Sequence, residues 1–345
     1  MTTLSEAPPG SPSAPPPRTR RFTADTAESL GKRFGVVGVW AVLIIIFGAL
    51  KPSVFLTLSN FQTMFDSQAV LLVLSLAFVV SLISGDFDLS IAGVFSMDLV
   101  IIGVMNMQHH VNPFYAFAVV IAVSLFVGVT QAFLIVKLGL SSFVVTLGTG
   151  TAFMGIAYGI DNTSLSGVSH DYGAFMTYPI LGFQVAFWLA VILVVVLWYV
   201  YGYTPLGRRL FFVGASRNVA RLAGINVNRL RSGSLIFGSL LAAGAAILTA
   251  GYLQEADPTI ANNFLLPAVS GALLGTTCIW PGRPSPPGTF VATYFLVTGY
   301  TGLEELGFNG WVQQVFYGVA LVAAVGVSAL ASRRSGAVAA DFAPQ

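Results

Sequence analysis

The sequence predicts an all-α polytopic membrane protein with about ten transmembrane helices. Of its 345 residues, 55% are hydrophobic and only 9% are charged, whereas about a quarter of a soluble domain is charged. Long apolar runs recur along the chain, and most approach the length at which a helix crosses the roughly 30 Å hydrocarbon core. A transmembrane β-barrel would instead show segments of about ten residues with alternating hydrophobicity.

The apolar runs define the predicted spans. They cover residues 34–50, 69–84, 88–107, 113–136, 141–160, 183–201, 234–253, 264–280, 287–303 and 311–331. The runs 69–84, 264–280 and 287–303 are short or interrupted by Gly and Pro, so each is predicted to be a full span, a half-helix or a re-entrant segment. Some of the helices are therefore expected to be short or discontinuous.

The basic residues predict the orientation. With ten crossings, fifteen of the sixteen Lys and Arg residues fall on the side that holds both termini, and only Lys51 falls on the other. Cytoplasmic loops carry an excess of basic residues, so both termini are predicted to be cytoplasmic. Residues 1–30 are rich in Pro, Ser and Ala and are predicted to form a disordered tail. Residues 333–345 are predicted to form a second cytoplasmic tail, and residues 31–332 are predicted to form the transmembrane domain.

One sizeable cytoplasmic loop is predicted, over residues 202–233, and it holds six arginines. Within it Ser216 can cap a short helix over residues 217–223, and Gly224 stands where a left-handed residue ends such a helix. Arg217 and Arg221 lie four residues apart, on one face. Two interpretations stay open. The arginines only set the topology, or the loop is a rigid cytoplasmic knob that docks into a groove of a partner.

The sequence of this loop resembles the cytoplasmic signature of permease subunits of bacterial ABC importers for monosaccharides such as ribose, xylose and arabinose. The matching positions are Thr204, Gly207, Arg208, Gly214, Asn218, Ala220, Gly224 and Ile225, while Arg221 replaces a small residue. The stretch "SGDFDLSIAG" (84–93) also resembles the family, with Asp86 and Ala92 where glycines are usual. A third stretch, residues 265–290, agrees apart from several prolines.

The resemblance implies the transmembrane permease subunit of an ABC importer, located in the bacterial cytoplasmic membrane. It implies a translocation path for a monosaccharide or a similar small polar solute. The short helix would be the coupling helix that receives the movements of a separate ATPase subunit. The residues expected to couple are Gly214, Arg217, Asn218, Ala220, Arg221, Gly224 and Ile225.

The resemblance also implies the partners. These are ABC ATPase subunits, a second permease copy in a homodimer or heterodimer, an extracytoplasmic solute-binding protein and the lipid bilayer, with no nucleic acid. The chain contains no G-x-x-x-x-G-K-[ST] phosphate loop, so it is not predicted to be an enzyme. ATP and Mg²⁺ would bind the partner ATPase. No cofactor, catalytic residue or metal site is predicted in this chain.

Residues in and near the third apolar run are candidates for lining the path. They are Phe87, Asp88, Ser90, Phe95, Asp98 and Gln131. Asp88 is predicted to be a helix N-cap, the end of a discontinuous helix that lines the path, or both. Asp98 is placed near the bilayer centre, where an ionised carboxylate costs about 2.5–3.5 kcal/mol. It is predicted to form an interhelical hydrogen bond or to line the path.

Other functions stay open at this stage. A proton-coupled secondary transporter would use Asp98 or Asp88 as its titrating group. Within ABC importers, permeases for nucleosides or for branched-chain amino acids are near alternatives. A membrane anchor or assembly protein without cargo would explain the hydrophobicity but not the polar residues within the spans.

Overall fold

The computed structural model describes residues 22–167 and 169–334, and these residues are mostly helical. The helices are α1 (Phe22–Leu50), α2 (Pro52–Phe55), α3 (Leu58–Ser67), α4 (Ala69–Ile83), α5 (Ile91–Gly103), α6 (Pro113–Ala132), α7 (Ser142–Ile160), α8 (His170–Thr177), α9 (Val185–Tyr203), α10 (Pro205–Ala215), α11 (Arg217–Leu222), α12 (Val227–Tyr252), α13 (Leu265–Gly275), α14 (Pro286–Glu305) and α15 (Trp311–Arg334). The predicted tails over residues 1–21 and 335–345 lie outside the described residues.

Short irregular elements complete the fold. Two π-helical segments, Val104–Gln108 and Phe133–Lys137, extend α5 and α6, and a 3₁₀ turn, Ile260–Asn263, precedes α13. The strands are β1 (Leu165–Ser166), β2 (Pro179–Ile180), β3 (Phe183–Gln184) and β4 (Glu255–Ala256). β1 pairs antiparallel with β4, and β2 pairs antiparallel with β3.

The described part of the chain contains five helical segments that are long and apolar enough to cross a membrane. They are Ile91–Gln108, Pro113–Lys137, Ser142–Ile160, Val185–Tyr203 and Val227–Tyr252. A sixth results if α3 and α4, which are bent by 42° at their junction, form a single span. The chain is therefore a helical membrane protein that crosses the bilayer several times, and the count of ten stays a prediction.

Of the three runs predicted to be short or discontinuous, two form short helices. α4 has 15 residues and α13 has 11, whereas α14 is a continuous helix of 20 residues. Two predicted boundaries were wrong, namely the end of the first tail at residue 30 and the start of a span at residue 234. α1 begins at Phe22, inside the predicted tail over residues 1–30, because residues 22–30 contain neither Pro nor Gly and do not interrupt a helix.

The predicted loop over residues 202–233 is largely helical in the structure. Thr204 caps α10, with Pro205 at its first position, and Asn226 caps α12. Both arrangements are favourable helix starts. As a result α12 begins at Val227, two turns before the predicted start of the span at residue 234. Two short helices, α10 and α11, connect α9 to α12 in the chain.

α4 lies at the centre of the fold. Every one of its residues except Leu82 is buried, and the helix packs against α9, α12, α13 and α14. A helix that is apolar on all sides has to be surrounded by protein or by lipid, and α4 is surrounded by other helices of the chain. The apolar side chains that stay exposed belong instead to outer helices such as α6, α7 and α9, as expected for surfaces that face lipid.

The start of α5 crosses the middle of α7 at two glycines. A Cβ atom on Gly93 would meet the carbonyl oxygen of Gly150 and lie 2.8 Å from its Cα. A Cβ atom on Gly150 would lie 3.0 Å from the Cα of Ser90. Glycines allow membrane helices to approach this closely, so the segment before α5 is held against α7.

Replacing Gly93 by Ala should therefore destabilise the protein, because the added methyl group would collide with backbone atoms of α7. We expect a cost of about 1–3 kcal/mol, the usual effect of overpacking. Thermal unfolding of the detergent-solubilised protein, followed by tryptophan fluorescence, measures this.

Gly148→Ala on α7 is the matched control, because a Cβ atom there has no neighbour within 4 Å. It should leave the unfolding temperature unchanged or raise it. Equal stability of both variants would show that the helices are not in close contact at Gly93.

Candidate functional site

The helical path is interrupted between α4 and α5, and we refer to residues 84–90 as the break. α4 ends in a Schellman motif, with Gly85 in the left-handed region at φ 80°. The Gly85 N–H donates to the Leu82 carbonyl at 3.0 Å, and the Asp86 N–H donates to the Ser81 carbonyl at 3.1 Å. This motif fixes Asp86 at the second position after the cap residue Ser84.

Side chains of α7 bind the next backbone groups of the break. The Phe87 N–H donates to Ser142 Oγ at 3.3 Å, and the Leu89 N–H donates to Thr146 Oγ1 at 3.0 Å. The single proton of the Thr146 hydroxyl is shared between the Phe87 carbonyl at 3.0 Å and the Ser142 carbonyl of α7 at 2.8 Å. Non-helical backbone at membrane depth needs such partners, because lipid offers none. The first turns of α7 therefore stabilise the break.

A buried chain of polar side chains continues from the break to α6. Asp88 Oδ1 accepts from the Ser90 N–H at 3.1 Å and from the Ser90 hydroxyl at 2.5 Å. Gln131 Nε2 donates to Ser90 Oγ at 2.6 Å. Asp88 Oδ2 and Gln131 Oε1 have no hydrogen-bond partner among the described residues. The structure thus brings together three of the predicted path residues.

The prediction that Asp88 caps α5 was wrong. α5 begins at Ile91 and follows Ser90, and no side chain makes a cap hydrogen bond there. Asp88 instead accepts from the backbone N–H two residues further on, which is the turn that Asp side chains commonly form. The carboxylate therefore shapes the break that precedes the helix.

The other predicted path residues lie in separate surroundings. The Ser124 hydroxyl of α6 donates to Asp98 Oδ2 at 2.5 Å, and Asp98 Oδ1 has no partner among the described residues. Phe95 is buried, with its ring 5.7 Å from that of Phe264. Phe87 is half-buried, and its ring lies 5.9 Å from that of Phe78. The interhelical bond of Asp98 is one of the two arrangements that the sequence predicted.

Residues 214–225 form a compact projection, which we call the knob. Its helix, α11, spans Arg217–Leu222, one residue shorter than the sequence predicted. Ser216 Oγ accepts from the Val219 N–H at 3.4 Å. Gly224 has φ 76°, and the Ile225 N–H donates to the Ala220 carbonyl at 3.0 Å, which completes a second Schellman motif.

The knob has a buried side and an exposed side. Ala220 is buried in a small apolar cluster with Val213 and Val227, against which Ile225 packs. On the exposed side Leu222 is 89% accessible and Val219 50% accessible, and Asn218 and Arg221 are also exposed. Exposed apolar side chains next to an arginine are suited to contact with another protein.

The knob lies directly on the end of α4. A Cβ atom on Gly214 would meet the carbonyl oxygen of Ile83, and a Cβ atom on Gly85 would lie 3.5 Å from the Cα of Gly214. The two main chains therefore touch without intervening side chains. Only glycine at residue 214 permits this approach.

An ion cluster joins the knob, the break and α12. Arg231 of α12 donates to both carboxylate oxygens of Asp86, from Nε at 2.8 Å and from Nη2 at 2.6 Å. Arg217 Nη2 donates to Asp86 Oδ1 at 3.1 Å and to the Gly85 carbonyl at 2.7 Å. Partial burial lowers the pKa of Arg217, and attraction to Asp86 opposes that shift. The guanidinium stays protonated at neutral pH.

The sequence did not predict this cluster. Arg217 was expected to take part in coupling, but neither Asp86 nor Arg231 was a candidate residue. One feature of the sequence could have indicated the cluster. Asp86 is a charged residue at a position where the family that the sequence resembles usually has glycine. Asp86 is fully buried, and a buried carboxylate that is ionised needs a charged partner.

Comparison with known proteins gives a family match over most of the chain. The profile of the family described as "Branched-chain amino acid transport system / permease component" matches residues 61–325. The D-allose transport system permease protein AlsC of Escherichia coli is 26% identical over 303 residues, which cover 87% of this chain and 93% of that protein.

Other curated proteins have similar names. The ribose import permease protein RbsC of Bacillus subtilis is 28% identical, over 82% of this chain and 88% of its own length. The autoinducer 2 import system permease protein LsrD of an Enterobacter species is also 28% identical, with the same coverage. No solved structure matches the chain significantly.

Replacing Thr146 by Val should destabilise the break, because the Leu89 N–H loses its acceptor and the Phe87 carbonyl loses a donor. A buried unsatisfied group costs about 1–3 kcal/mol, so the thermal unfolding temperature should fall. Thr146→Ser keeps the hydroxyl group and should be closer to the unsubstituted protein. If Thr146→Val is as stable as Thr146→Ser, the hydroxyl of Thr146 does not stabilise the break.

Proposed function

We infer the function from one premise, which is that the chain belongs to the family of branched-chain amino acid transport system permease components. It is a multi-pass protein of the cytoplasmic membrane. We propose that it is the transmembrane permease subunit of an ABC importer and forms the translocation path for its solute. The observation that supports this most directly is the exposed knob, which lies on the interrupted membrane helix.

We propose a monosaccharide or a similar small polar solute as the cargo. Two of the three relatives described above are named for D-allose and for ribose. The resemblance of the knob and of the break to sugar permeases supports the same choice. The family description names branched-chain amino acids, so these remain the nearest competing cargo within the importer class.

The proposed topology has ten crossings and both termini in the cytoplasm, which places the knob on the cytoplasmic side. There it would dock to an ABC ATPase subunit. A cavity of about 740 Å³ adjoins the knob and is lined by Gly214, Arg208, Trp280 and Arg283, among others. The exposed Leu222 and this cavity support docking of another protein. A second permease copy and an extracytoplasmic solute-binding protein complete the proposed complex.

The geometry suggests how ATP-driven movement would reach the membrane. A displacement of the knob acts on the main chain at Ile83 through Gly214 and on Asp86 through Arg217. Both residues adjoin the break, whose buried bonds connect Asp88, Ser90 and Gln131. Movement there would shift α5 relative to α6 and α7, and so change access to a path between the helices.

Uptake measurements test this function against a proton-coupled transporter. Cells that contain the chain with its ATPase and binding protein should accumulate radiolabelled ribose or D-allose, and cells without the chain should not. Vanadate, which blocks ABC ATPases, should abolish accumulation, and a proton uncoupler added with ATP maintained should not.

The opposite inhibitor pattern would favour a transporter in which Asp98 or Asp88 titrates. Accumulation of radiolabelled leucine, but of neither sugar, would replace the proposed cargo with a branched-chain amino acid.

Gly224→Ala should impair uptake, because a side chain at φ 76° is strained by about 1–2 kcal/mol and the end of α11 would rearrange. The protein should still insert into the membrane. Gly233→Ala is the control, since Gly233 is exposed on α12, lies within a regular helix and has no neighbour within 4 Å of a Cβ atom. If both variants take up sugar like the unsubstituted protein, the shape of the knob does not matter for transport.

A further inference from the structure

We propose that Asp86 is a positioning residue that couples the knob to the break, so that movement of α11 reaches the buried hydrogen bonds of Asp88 and Ser90. This inference rests on the proposed function. The observation that supports it is the ion cluster, in which Asp86 binds Arg217 of the knob and Arg231 of α12.

The two arginines bind Asp86 in different ways. Arg231 forms a bidentate pair with both carboxylate oxygens, and its side chain is only 9% exposed. Arg217 reaches one oxygen and is 38% exposed. Bidentate, buried pairs have the more fixed geometry. Arg231 therefore anchors Asp86 to the spanning helix α12, and Arg217 connects Asp86 to the knob.

Asp86 is close in sequence to the polar network within the membrane. Phe87 separates Asp86 from Asp88, and both backbone polar groups of Phe87 are bound by hydroxyls of α7. A displacement of Asp86 cannot be absorbed by a free loop, because the following main chain is already held. It is passed to Asp88 and Ser90, and from Ser90 to Gln131 on α6.

A purely structural role for the cluster makes a different prediction. If the cluster only kept the protein folded, losing it would reduce the amount of active transporter. ATP hydrolysis and solute uptake would then fall together. If the cluster transmits movement, the complex still hydrolyses ATP but imports less solute for each ATP.

The test uses the complete transporter, with its ATPase and binding protein, reconstituted in liposomes. ATP hydrolysis and uptake of radiolabelled ribose or D-allose, whichever the unsubstituted complex accumulates, are measured in parallel. Arg217→Gln should keep the thermal stability and the bound ATPase. It should raise the ATP consumed per sugar about tenfold, the factor that one charge-assisted hydrogen bond represents.

Arg229→Gln is the matched control. Arg229 lies on the exposed side of α12, two residues before Arg231; its backbone N–H donates to Asn226 Oδ1, and its side chain forms no hydrogen bond within the described residues. The ratio of ATP to sugar should not change in this variant. An unchanged ratio in Arg217→Gln, with normal uptake, would overturn the coupling role of the cluster.

A second pair of variants separates stability from coupling. Asp86→Asn leaves the buried Arg231 without its counter-charge, so the unfolding temperature should fall. Adding Arg231→Met removes that charge and should restore the temperature, while the ratio of ATP to sugar stays high because Arg217 still lacks its ionised partner.

If the double variant recovers both the unfolding temperature and a normal ratio of ATP to sugar, the cluster is only structural. If the unsubstituted complex imports neither sugar and no leucine in an ATP-dependent manner, the proposed function fails, and the coupling role of Asp86 fails with it.

Discussion

The structure depends on how the protein satisfies backbone hydrogen bonds where a membrane helix is interrupted. Between α4 and α5 the chain leaves the helical path for residues 84–90, and lipid cannot solvate the polar groups that this exposes. The Schellman motif at Gly85 and the hydroxyls of Ser142 and Thr146 supply hydrogen-bond partners. Each of these partners fixes the position of a neighbouring element, so α7 and the knob are arranged around the break.

The charge of Asp86 has a similar effect at the end of α4. A fully buried carboxylate that is ionised needs close positive partners, and those of Asp86, Arg231 and Arg217, come from two different helices. The requirement to neutralise one side chain therefore brings α11 and α12 to the end of α4. Local electrostatics and the overall arrangement of these helices are thus linked through a single residue.

Part of the fold and of the candidate site could be predicted from the sequence. The membrane class followed from hydropathy, and the short helix at residue 217 followed from its capping Ser216 and from Gly224, because both signals act over a few residues. The hydrogen bonds of Thr146 and the pairing of Asp86 with Arg231 could not be predicted. They join residues 57 and 145 positions apart, and no local pattern specifies which distant side chains meet. The start of α5 was misjudged because an aspartate before a helix fits both a cap and a turn.

The contact between Gly214 and the end of α4 has a mechanical consequence. Side chains can rotate about their bonds and so absorb small displacements. At this contact the main chain of Gly214 touches the main chain of Ile83 directly. An interface of this kind has little compliance, because peptide units are planar and stiff. In the proposed mechanism, a tilt of the knob would be passed to the end of α4 with little loss, and substitutions of side chains elsewhere would change the size of this displacement little.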